Sequence, residues 1–179
     1  MKKWLHKKFM SKIELILLLA IVAVLFMMYG GLTILKIGIR SGVVSGTSME
    51  KTLTEGTRLL FVDYKFKEIK RGDIVSIFVK MNGKNANIIK RVIALPNETI
   101  HIQGNRVYIN GNLLEEPYAY YIEDSEDNLT LTLKENEYFV MGDNRIISQD
   151  SRTLGGIPKD FIVGIVIKIK ETKTDFNSD

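Results

Sequence analysis

Two residues of this chain could form a nucleophile and its base. Ser48 stands in a run of small residues, 45–48, just before Met49, and Lys90 stands in an apolar, β-branched run at 87–95. A serine hydroxyl is a weak nucleophile until a base takes its proton. A buried lysine can be that base, because burial lowers its pKa from about 10.4 and leaves a neutral amine. The pair would support acyl transfer if the fold brings the two side chains together.

Each residue also has a plainer interpretation. Ser48 could be a turn residue or a helix N-cap, and Lys90 and Arg91 could extend to the rim of a sheet, as cations in strands commonly do. Strand alternation places Lys90 on one face with Ile88 and Val92, and Arg91 on the other. Because both faces are otherwise apolar, we expect at least one cation in surroundings of low polarity.

The composition narrows the choice of base. The chain of 179 residues has no cysteine, which excludes thiol catalysis, disulfides and thiolate metal sites. Its two histidines are His6, in a charged tail, and His101. A Ser-His-Asp triad would have to use His101, and a site with several histidine ligands is excluded. Lysine is the natural base to look for, and we expect neither a metal nor another cofactor.

A third group of polar residues lies between Met141 and Gly155. This turn-rich segment contains Asp143, Arg145, Asp150 and Arg152. Such a density of opposite charges is typical of an ion-pair and hydrogen-bond network that holds a loop. A calcium loop is the alternative, but the acidic spacing does not follow the EF-hand pattern and basic residues intervene.

The charge distribution separates an N-terminal tail from the body. Residues 1–14 carry five lysines and one glutamate, a net +4, whereas the remainder has 20 basic and 20 acidic residues. The body has no net charge to attract nucleic acid, so we expect no nucleic-acid partner.

Residues 15–35 contain no charged side chain and predict a transmembrane anchor. About 20 apolar residues are needed to cross roughly 30 Å of hydrocarbon. A cleaved signal peptide is the alternative, but its apolar region is only about 7–15 residues long and ends in small residues. Because the basic excess precedes the span, we expect the N-terminus in the cytoplasm and the body outside.

The remainder predicts a mainly β body. Short β-branched runs alternate with Gly and Asn turns, which is typical of a sheet or barrel. We predict a two-residue hairpin at Asn110-Gly111 and an exposed loop at 115–128. The predicted organisation is a tail at 1–14, an anchor at 15–35, a β-rich domain at 36–170 and a polar tail at 171–179. The predicted strands cover 58–64, 74–79, 87–95, 99–102, 106–109, 112–114, 129–133, 137–141 and 161–170.

Four motifs in order resemble those of type I signal peptidases, the membrane-bound Ser-Lys endopeptidases. They are Ser-Gly-Thr-Ser-Met-x-x-Thr-Leu at 45–53, Arg-Gly-Asp-Ile-Val at 71–75, Ile-Lys-Arg-Val-Ile-Ala-Leu-Pro at 89–96 and Met-Gly-Asp-Asn-Arg-x-x-Ser-x-Asp-Ser-Arg at 141–152. The resemblance extends from the predicted membrane span to about Gly164. With a single span, the chain resembles the Gram-positive type of the family. It implies a signal-peptidase-like β-rich catalytic domain after one transmembrane helix.

The resemblance also implies a role for each matching residue. Ser48 would be the nucleophile, Lys90 its general base, and Ser148 the serine that orients the lysine. The Ser48 backbone N–H would form part of the oxyanion hole. Some relatives add a hydroxyl two residues before the nucleophile, where this chain has Gly46, so backbone donors or water must serve. The resemblance gives the structural roles to four charged residues, namely the ion pair Asp150–Arg152 and the loop-supporting Asp143 and Arg145.

This chain departs from the family pattern at two places. Lys51 replaces the usual proline three residues after the nucleophile, and 95–98 is Leu-Pro-Asn-Glu where many members have Leu-Pro-Gly-Asp. Neither change removes a catalytic group, although Lys51 adds a charge near the mouth of the cleft. Met49 and Leu53 would either lie near the bilayer surface or belong to the core.

The resemblance implies that the chain removes signal peptides from exported preproteins, after small residues. The implied partners are preproteins and the bilayer, with transient contact to the export translocon. A self-cleaving repressor-type peptidase shares the Ser-Lys dyad, but it lacks the membrane span and the Gly-Asp-Asn-Arg loop. A specialised or non-proteolytic factor for surface polymer (pilus) assembly is the other alternative, and the presence of both Ser48 and Lys90 argues against it.

Overall fold

A computed structural model describes residues 12–81, 83–121 and 125–170. The chain divides into two compact units, Met1–Gly38 and Ile39–Asp179, which are taken here one at a time. The expectations for the first eleven residues of the basic tail and for the polar tail at 171–179 fall outside the described residues.

The first unit contains one long helix. Helix α1 covers Lys12–Ile37, three residues earlier at its start and two later at its end than the predicted span. Its 26 residues reach roughly 39 Å at about 1.5 Å per residue. Within the described residues, Lys12–Gly31 is the one segment long and apolar enough to cross a membrane. From Ile13 to Tyr29, apolar side chains are exposed on all sides of the helix, a pattern typical of a membrane span rather than of an amphipathic surface helix.

The second unit contains two antiparallel sheets. The larger has seven strands in the order β1-β2-β11-β3-β4-β9-β10, and the smaller has four in the order β7-β6-β5-β8. Its described residues also contain a helical turn, α2 (Ser151–Leu154), and a 3-10 turn (Lys159–Phe161). The strands are β1 Arg40–Val43, β2 Arg58–Val62, β3 Ile74–Met81, β4 Lys84–Ala94, β5 Thr99–Gln103, β6 Arg106–Ile109, β7 Asn112–Leu113, β8 Asn128–Thr132, β9 Glu137–Met141, β10 Ile157–Pro158 and β11 Ile162–Lys170.

The predicted mainly β class is confirmed, and most predicted runs are strands. The hairpin at Asn110-Gly111 is confirmed as well, because Ile109 pairs with Asn112 across a two-residue turn. Both turn residues have positive φ, 50° and 82°, as a type I′ turn requires. Sequence patterning missed β1, β10 and α2, which are only two to four residues long and too short to show a period.

The prediction that 115–128 is simply an exposed loop is wrong for its first half. The side chain of Glu116 is only 5% exposed, and Tyr118 and Tyr121 are partly buried. Tyr120 forms a parallel β-bridge with Asn144. The acidic and tyrosine residues of this segment predicted exposure to solvent. The side chains of Glu116, Tyr118 and Tyr121 instead form polar contacts with neighbouring segments, which allows them to be buried or partly buried.

Two apolar clusters support the body. One lies between the small sheet and strands β4 and β9, with Phe139 and Ile100 completely buried. The other contains Met49 and Leu53, which pack with Leu59 of β2 and are 1% and 0% exposed. Of the two alternatives for Met49 and Leu53, the core is therefore the correct one.

Candidate active site

The turn that carries Ser48 is anchored on both sides of the serine. Before it, the Val44 N–H donates to the Thr57 carbonyl at 2.9 Å. After it, the Leu53 N–H donates to the Met49 carbonyl at 2.8 Å, while both side chains enter the core. Ser48 stays partly exposed between these anchors. The turn therefore fixes the serine in place while leaving its hydroxyl accessible.

Lys90 reaches Ser48 from the middle of the large sheet. It lies on β4, where Val75 of β3 pairs with it, and its neighbour Arg91 pairs with Met141 of β9. This central position leaves Lys90 only 3% exposed. Its Nζ lies 2.6 Å from Ser48 Oγ, in hydrogen-bond contact. The fold thus brings together the two residues that the sequence singled out.

The surroundings of Lys90 favour its neutral form. Burial lowers its pKa from the ordinary 10.5 to about 8, because desolvation penalises the ammonium. The charge of Asp150 opposes this shift, and the charge of Arg152 adds to it. About a tenth of the amine is then neutral at pH 7. That fraction can accept the Ser48 proton, whereas the ammonium form donates to the hydroxyl instead.

Arg91, the residue after Lys90, has a different partner. Its guanidinium donates to both carboxylate oxygens of Asp143, at 2.8 and 2.6 Å, and to the Gly72 carbonyl at 2.9 Å. The Arg91 and Asp143 side chains are 12% and 0% exposed. Thr52 adds a hydroxyl hydrogen bond to Asp143 at 2.5 Å. Neither Lys90 nor Arg91 therefore extends to solvent, and Asp143 links the Ser48 turn to the strand of Lys90.

Gly142 occupies a narrow space between Ser48 and Ser148. Its N–H donates to Ser148 Oγ at 3.2 Å and to Asp150 Oδ2 at 3.0 Å. A Cβ at position 142 would collide with the Ser148 side chain and with the Ser48 carbonyl. Only glycine fits, and Ser148 is thereby held close to the main chain of the candidate nucleophile. That Ser148 orients Lys90 stays a prediction.

Asp150 and Arg152 form an ion pair in the loop. Arg152 Nε donates to Asp150 Oδ1 at 3.0 Å, and Asp150 is completely buried. Asp150 also caps α2 by accepting the Arg152 backbone N–H. The other end of the guanidinium contacts Asp127 at 2.8 Å and the Arg145 carbonyl at 2.8 Å. The ion pair therefore stabilises the loop 141–155 internally, next to Gly142.

The other two charged residues of the loop find partners elsewhere in the chain. Asp143 pairs with Arg91, as described, and Arg145 pairs with Glu116 at 2.6 and 3.0 Å. Tyr121 also contacts Arg145, through its hydroxyl. Sequence reasoning missed both Arg91 and Glu116 as partners. Arg91 carried a signal, since it is a cation in an apolar strand, whereas Glu116 carried none because it lies among other acidic residues.

Lys51 has an unusual backbone conformation. Its φ of 73° lies in the left-handed region, which the ring of proline forbids. The replacement of the family's proline by Lys51 therefore accompanies a turn that proline could not adopt. The Lys51 ammonium lies over the Tyr120 ring, 3.9 Å from its centre.

The described residues offer no metal site. Among residues 12–81, 83–121 and 125–170, no group of three or more histidine, aspartate or glutamate side chains is arranged to hold an ion. The polar groups near Ser48 are arranged as hydrogen-bonded and ion-paired neighbours instead.

Comparisons with known proteins identify the family. A family model described as "Signal peptidase, peptidase S26" matches residues 12–169. Signal peptidase I U of Bacillus subtilis (strain 168) is 36% identical over 165 residues, which cover 86% of this chain and 85% of the relative. The chain belongs to the type I signal peptidases. It is therefore a serine peptidase of family S26, and its named relatives are hydrolases of this kind.

A second relative agrees with this assignment. Signal peptidase I of Bacillus amyloliquefaciens is 42% identical over 135 residues, covering 68% of this chain and 70% of the relative. A crystal structure of a signal peptidase I from Enterococcus faecalis V583 is 30% identical, covers 56% of this chain and 98% of that one, and has a TM-score of 0.49.

Replacing Lys90 by Met should stabilise the fold at neutral pH. Below pH 8 Lys90 is charged in both the folded and the unfolded chain. Its pKa is about 8 in the folded protein against 10.5 ordinarily, and this difference corresponds to roughly 3 kcal/mol of destabilisation of the folded state. Between these values the unfolded chain binds more protons, so the stability of the unsubstituted protein rises with pH. The gain in unfolding free energy from Lys90→Met is this amount minus roughly 1 kcal/mol for the lost hydrogen bond. The gain should decrease from pH 7.5 to pH 10.5.

The unfolding free energies of Lys90→Met and of the unsubstituted protein are to be measured by chemical unfolding of the full chain in detergent micelles at several pH values. Lys84→Met removes an exposed lysine at the start of β4 and is the matched control, expected to change stability at pH 7.5 by about 0.5 kcal/mol or less. A gap between Lys90→Met and the unsubstituted chain that stays constant with pH would contradict the lowered pKa.

Proposed function

We propose that this chain is a membrane-anchored serine endopeptidase that removes N-terminal signal peptides from exported preproteins, with Ser48 as nucleophile and Lys90 as general base. The contact of 2.6 Å between Lys90 Nζ and Ser48 Oγ is the observation that carries the proposal. The lowered pKa of Lys90 supports it, because a base must be neutral to accept a proton. Membership of the signal peptidase family supports the choice of substrate.

In the first half of the reaction, neutral Lys90 accepts the hydroxyl proton of Ser48 while the oxygen attacks the scissile carbonyl. The resulting ammonium then gives its proton to the departing amine, and the peptide bond breaks to leave an acyl-enzyme. In the second half, Lys90 accepts a proton from water as that water attacks the ester. The resulting tetrahedral intermediate collapses with cleavage of the ester bond, and the Lys90 ammonium returns its proton to Ser48 Oγ. This step releases the carboxylic acid and regenerates both the hydroxyl and the neutral amine.

The negative charge on the carbonyl oxygen requires donors already in place. The Ser48 backbone N–H is the donor we assign, since the turn around it is anchored at both ends. Gly46 has a φ of 91° and no side chain, so backbone groups or water must supply a second donor. Loss of one such donor typically costs about 3–4 kcal/mol. Asp150, Arg152, Asp143 and Arg145 hold the loop, and we assign Ser148 to orient Lys90.

The substrate proposal follows from the family. We propose small residues at the first and third positions before the cut, as signal peptides carry there. The bilayer would hold α1, and preproteins would arrive from the translocon. The chemistry needs no cofactor, because nucleophile, base and oxyanion donor are all side-chain or backbone groups.

Substitution of either dyad residue should abolish cleavage. Ser48→Ala removes the nucleophile, Lys90→Ala the base, and Lys90→Arg replaces the base with a cation that cannot deprotonate. Cleavage of a labelled preprotein by the full chain in detergent micelles should fall by about 10³-fold or more in each. Ser41→Ala and Lys80→Arg change exposed residues of the same types and should retain activity. If Ser48→Ala cleaves the preprotein at the normal rate, the assignment of Ser48 as nucleophile is wrong. If Lys90→Arg does so, the lysine-base mechanism is wrong.

The rate should depend on pH through Lys90. Because its pKa is about 8 and the neutral form is active, kcat/KM should rise roughly tenfold from pH 6 to pH 7 and level off above about pH 9. The measurement is initial cleavage rates at low substrate concentration, with Ser48→Ala run at every pH to subtract other peptidases. Rates that stay constant from pH 6 to pH 9 would be inconsistent with a lysine base of lowered pKa.

The body should lie on the side of the membrane opposite the basic tail. Five lysines in residues 1–14 favour a cytoplasmic N-terminus by the positive-inside rule. In spheroplasts that expose the outer face, added proteinase should degrade an epitope placed after residue 179 and spare one placed before residue 1. The reverse pattern of protection would overturn the proposed orientation.

A further inference from the structure

We propose that residues 116–121, here called the strap, position the three segments that carry Ser48, Lys90 and Ser148. This inference rests on the proposed function and adds residues that the four family-like motifs do not include. The strap contacts each of these segments through a different side chain, and its Tyr120 also forms a β-bridge with Asn144.

The strongest contacts join the strap to the loop of Ser148. The Tyr120 N–H donates to the Asp143 carbonyl at 2.7 Å, and the Arg145 N–H donates to the Tyr120 carbonyl at 2.9 Å. Glu116 accepts from both terminal nitrogens of Arg145, and the two side chains are 5% and 2% exposed. A buried pair of this kind is costly to break, because removing one partner leaves an uncompensated charge.

Arg145 connects the strap to the residues around Ser48 and Lys90. Its Nε donates to the Gly142 carbonyl at 3.0 Å. The N–H of Gly142 holds Ser148 Oγ, and Gly142 itself is packed against the Ser48 carbonyl. A displacement of Arg145 would therefore move Gly142, which has no spare space against either serine.

The second contact reaches the strand of Lys90. The Arg91 guanidinium lies over the Tyr118 ring, 4.1 Å from its centre. Arg91 follows Lys90 directly and is bound to Asp143. The Tyr118 hydroxyl donates to Glu116 at 3.2 Å, so the contacts to β4 and to the loop share one network.

The third contact reaches the turn of Ser48. The Lys51 ammonium lies over the Tyr120 ring at 3.9 Å. Because both residues are exposed, the attraction is about 0.5–1 kcal/mol. Lys51 adopts this position with a strained positive φ, which persists only where surrounding contacts hold it. The cation–π contact is such a restraint, so the strap also fixes the turn three residues after the nucleophile.

A positioning role follows from the geometry that the dyad needs. The contact between Lys90 Nζ and Ser48 Oγ is a single hydrogen bond between residues 42 apart in sequence. A misplacement of about 1 Å at such a site can reduce the rate about 100-fold. The strap connects the segments that carry Ser48 and Lys90 to the same loop, so we expect it to act on kcat through those residues.

The test compares strap variants with matched controls in the full chain, cleaving a labelled preprotein in micelles. Glu116→Gln should lower kcat about tenfold or more, and Tyr120→Leu about threefold or more. Both should leave KM within about twofold of the unsubstituted value, because neither residue contacts substrate. Tyr120→Phe keeps the aromatic face over Lys51 and should restore kcat.

Two controls separate positioning from stability. Glu98→Gln breaks the Arg71–Glu98 ion pair at 2.6 Å, and Tyr108→Leu removes a tyrosine of the small sheet that stacks near His101. Both should lower the melting temperature while keeping kcat, measured well below that temperature, near the unsubstituted value. If Glu116→Gln does not fold, Tyr120→Leu decides, since Tyr120 is 39% exposed and its loss is tolerable.

The outcomes separate the two proposals. If the unsubstituted chain cleaves no preprotein, the proposed function fails. If it cleaves and the folded strap variants keep the unsubstituted kcat, the positioning role of the strap is wrong. The same conclusion follows if Glu98→Gln and Tyr108→Leu lose kcat as much as the strap variants, or if Tyr120→Phe is no better than Tyr120→Leu.

Discussion

The burial of one amine against one hydroxyl is the constraint on which the rest of this structure depends. Lys90 must lie deep enough for desolvation to lower its pKa and close enough for its Nζ to contact Ser48 Oγ. A position at the middle of a strand with neighbours on both sides satisfies the first need. The second requires that a separate turn be held over that strand, and Met49 and Leu53 hold it by packing into the core.

The surrounding charges are distributed so that Lys90 is the cation able to lose its proton. In the described site Arg91, Arg145 and Arg152 each contact a carboxylate, whereas the contact of Lys90 is a hydroxyl. Arginine stays charged at every accessible pH, so it can hold buried carboxylates without titrating. Lysine can become neutral in the same surroundings. The choice of cation at each position therefore separates support of the loop from proton transfer.

Much of this architecture was predictable because its signals are local. An uncharged run of 21 residues indicates a span, alternating β-branched runs predict strands, and Asn110-Gly111 predicts a hairpin with the turn found. The strap was not predictable in the same way. Glu116, Tyr118 and Tyr120 belong to an acidic segment whose composition predicts solvent exposure, and guanidinium and ammonium groups of other segments hold it in place. Those groups lie 27 to 69 residues away along the chain, where no periodicity can reveal them.

The sequence by itself determined the chemical possibilities of the protein. Without cysteine and with two histidines, it left lysine as the natural base for a serine nucleophile, and its four ordered motifs named the family. The pairing of Asp143 with Arg91, the pairing of Arg145 with Glu116 and the distance between Lys90 and Ser48 depended on the tertiary structure. The physical reason is that residue types set which protons and charges are available, whereas burial and distance, which depend on every strand at once, set their pKa values and partners.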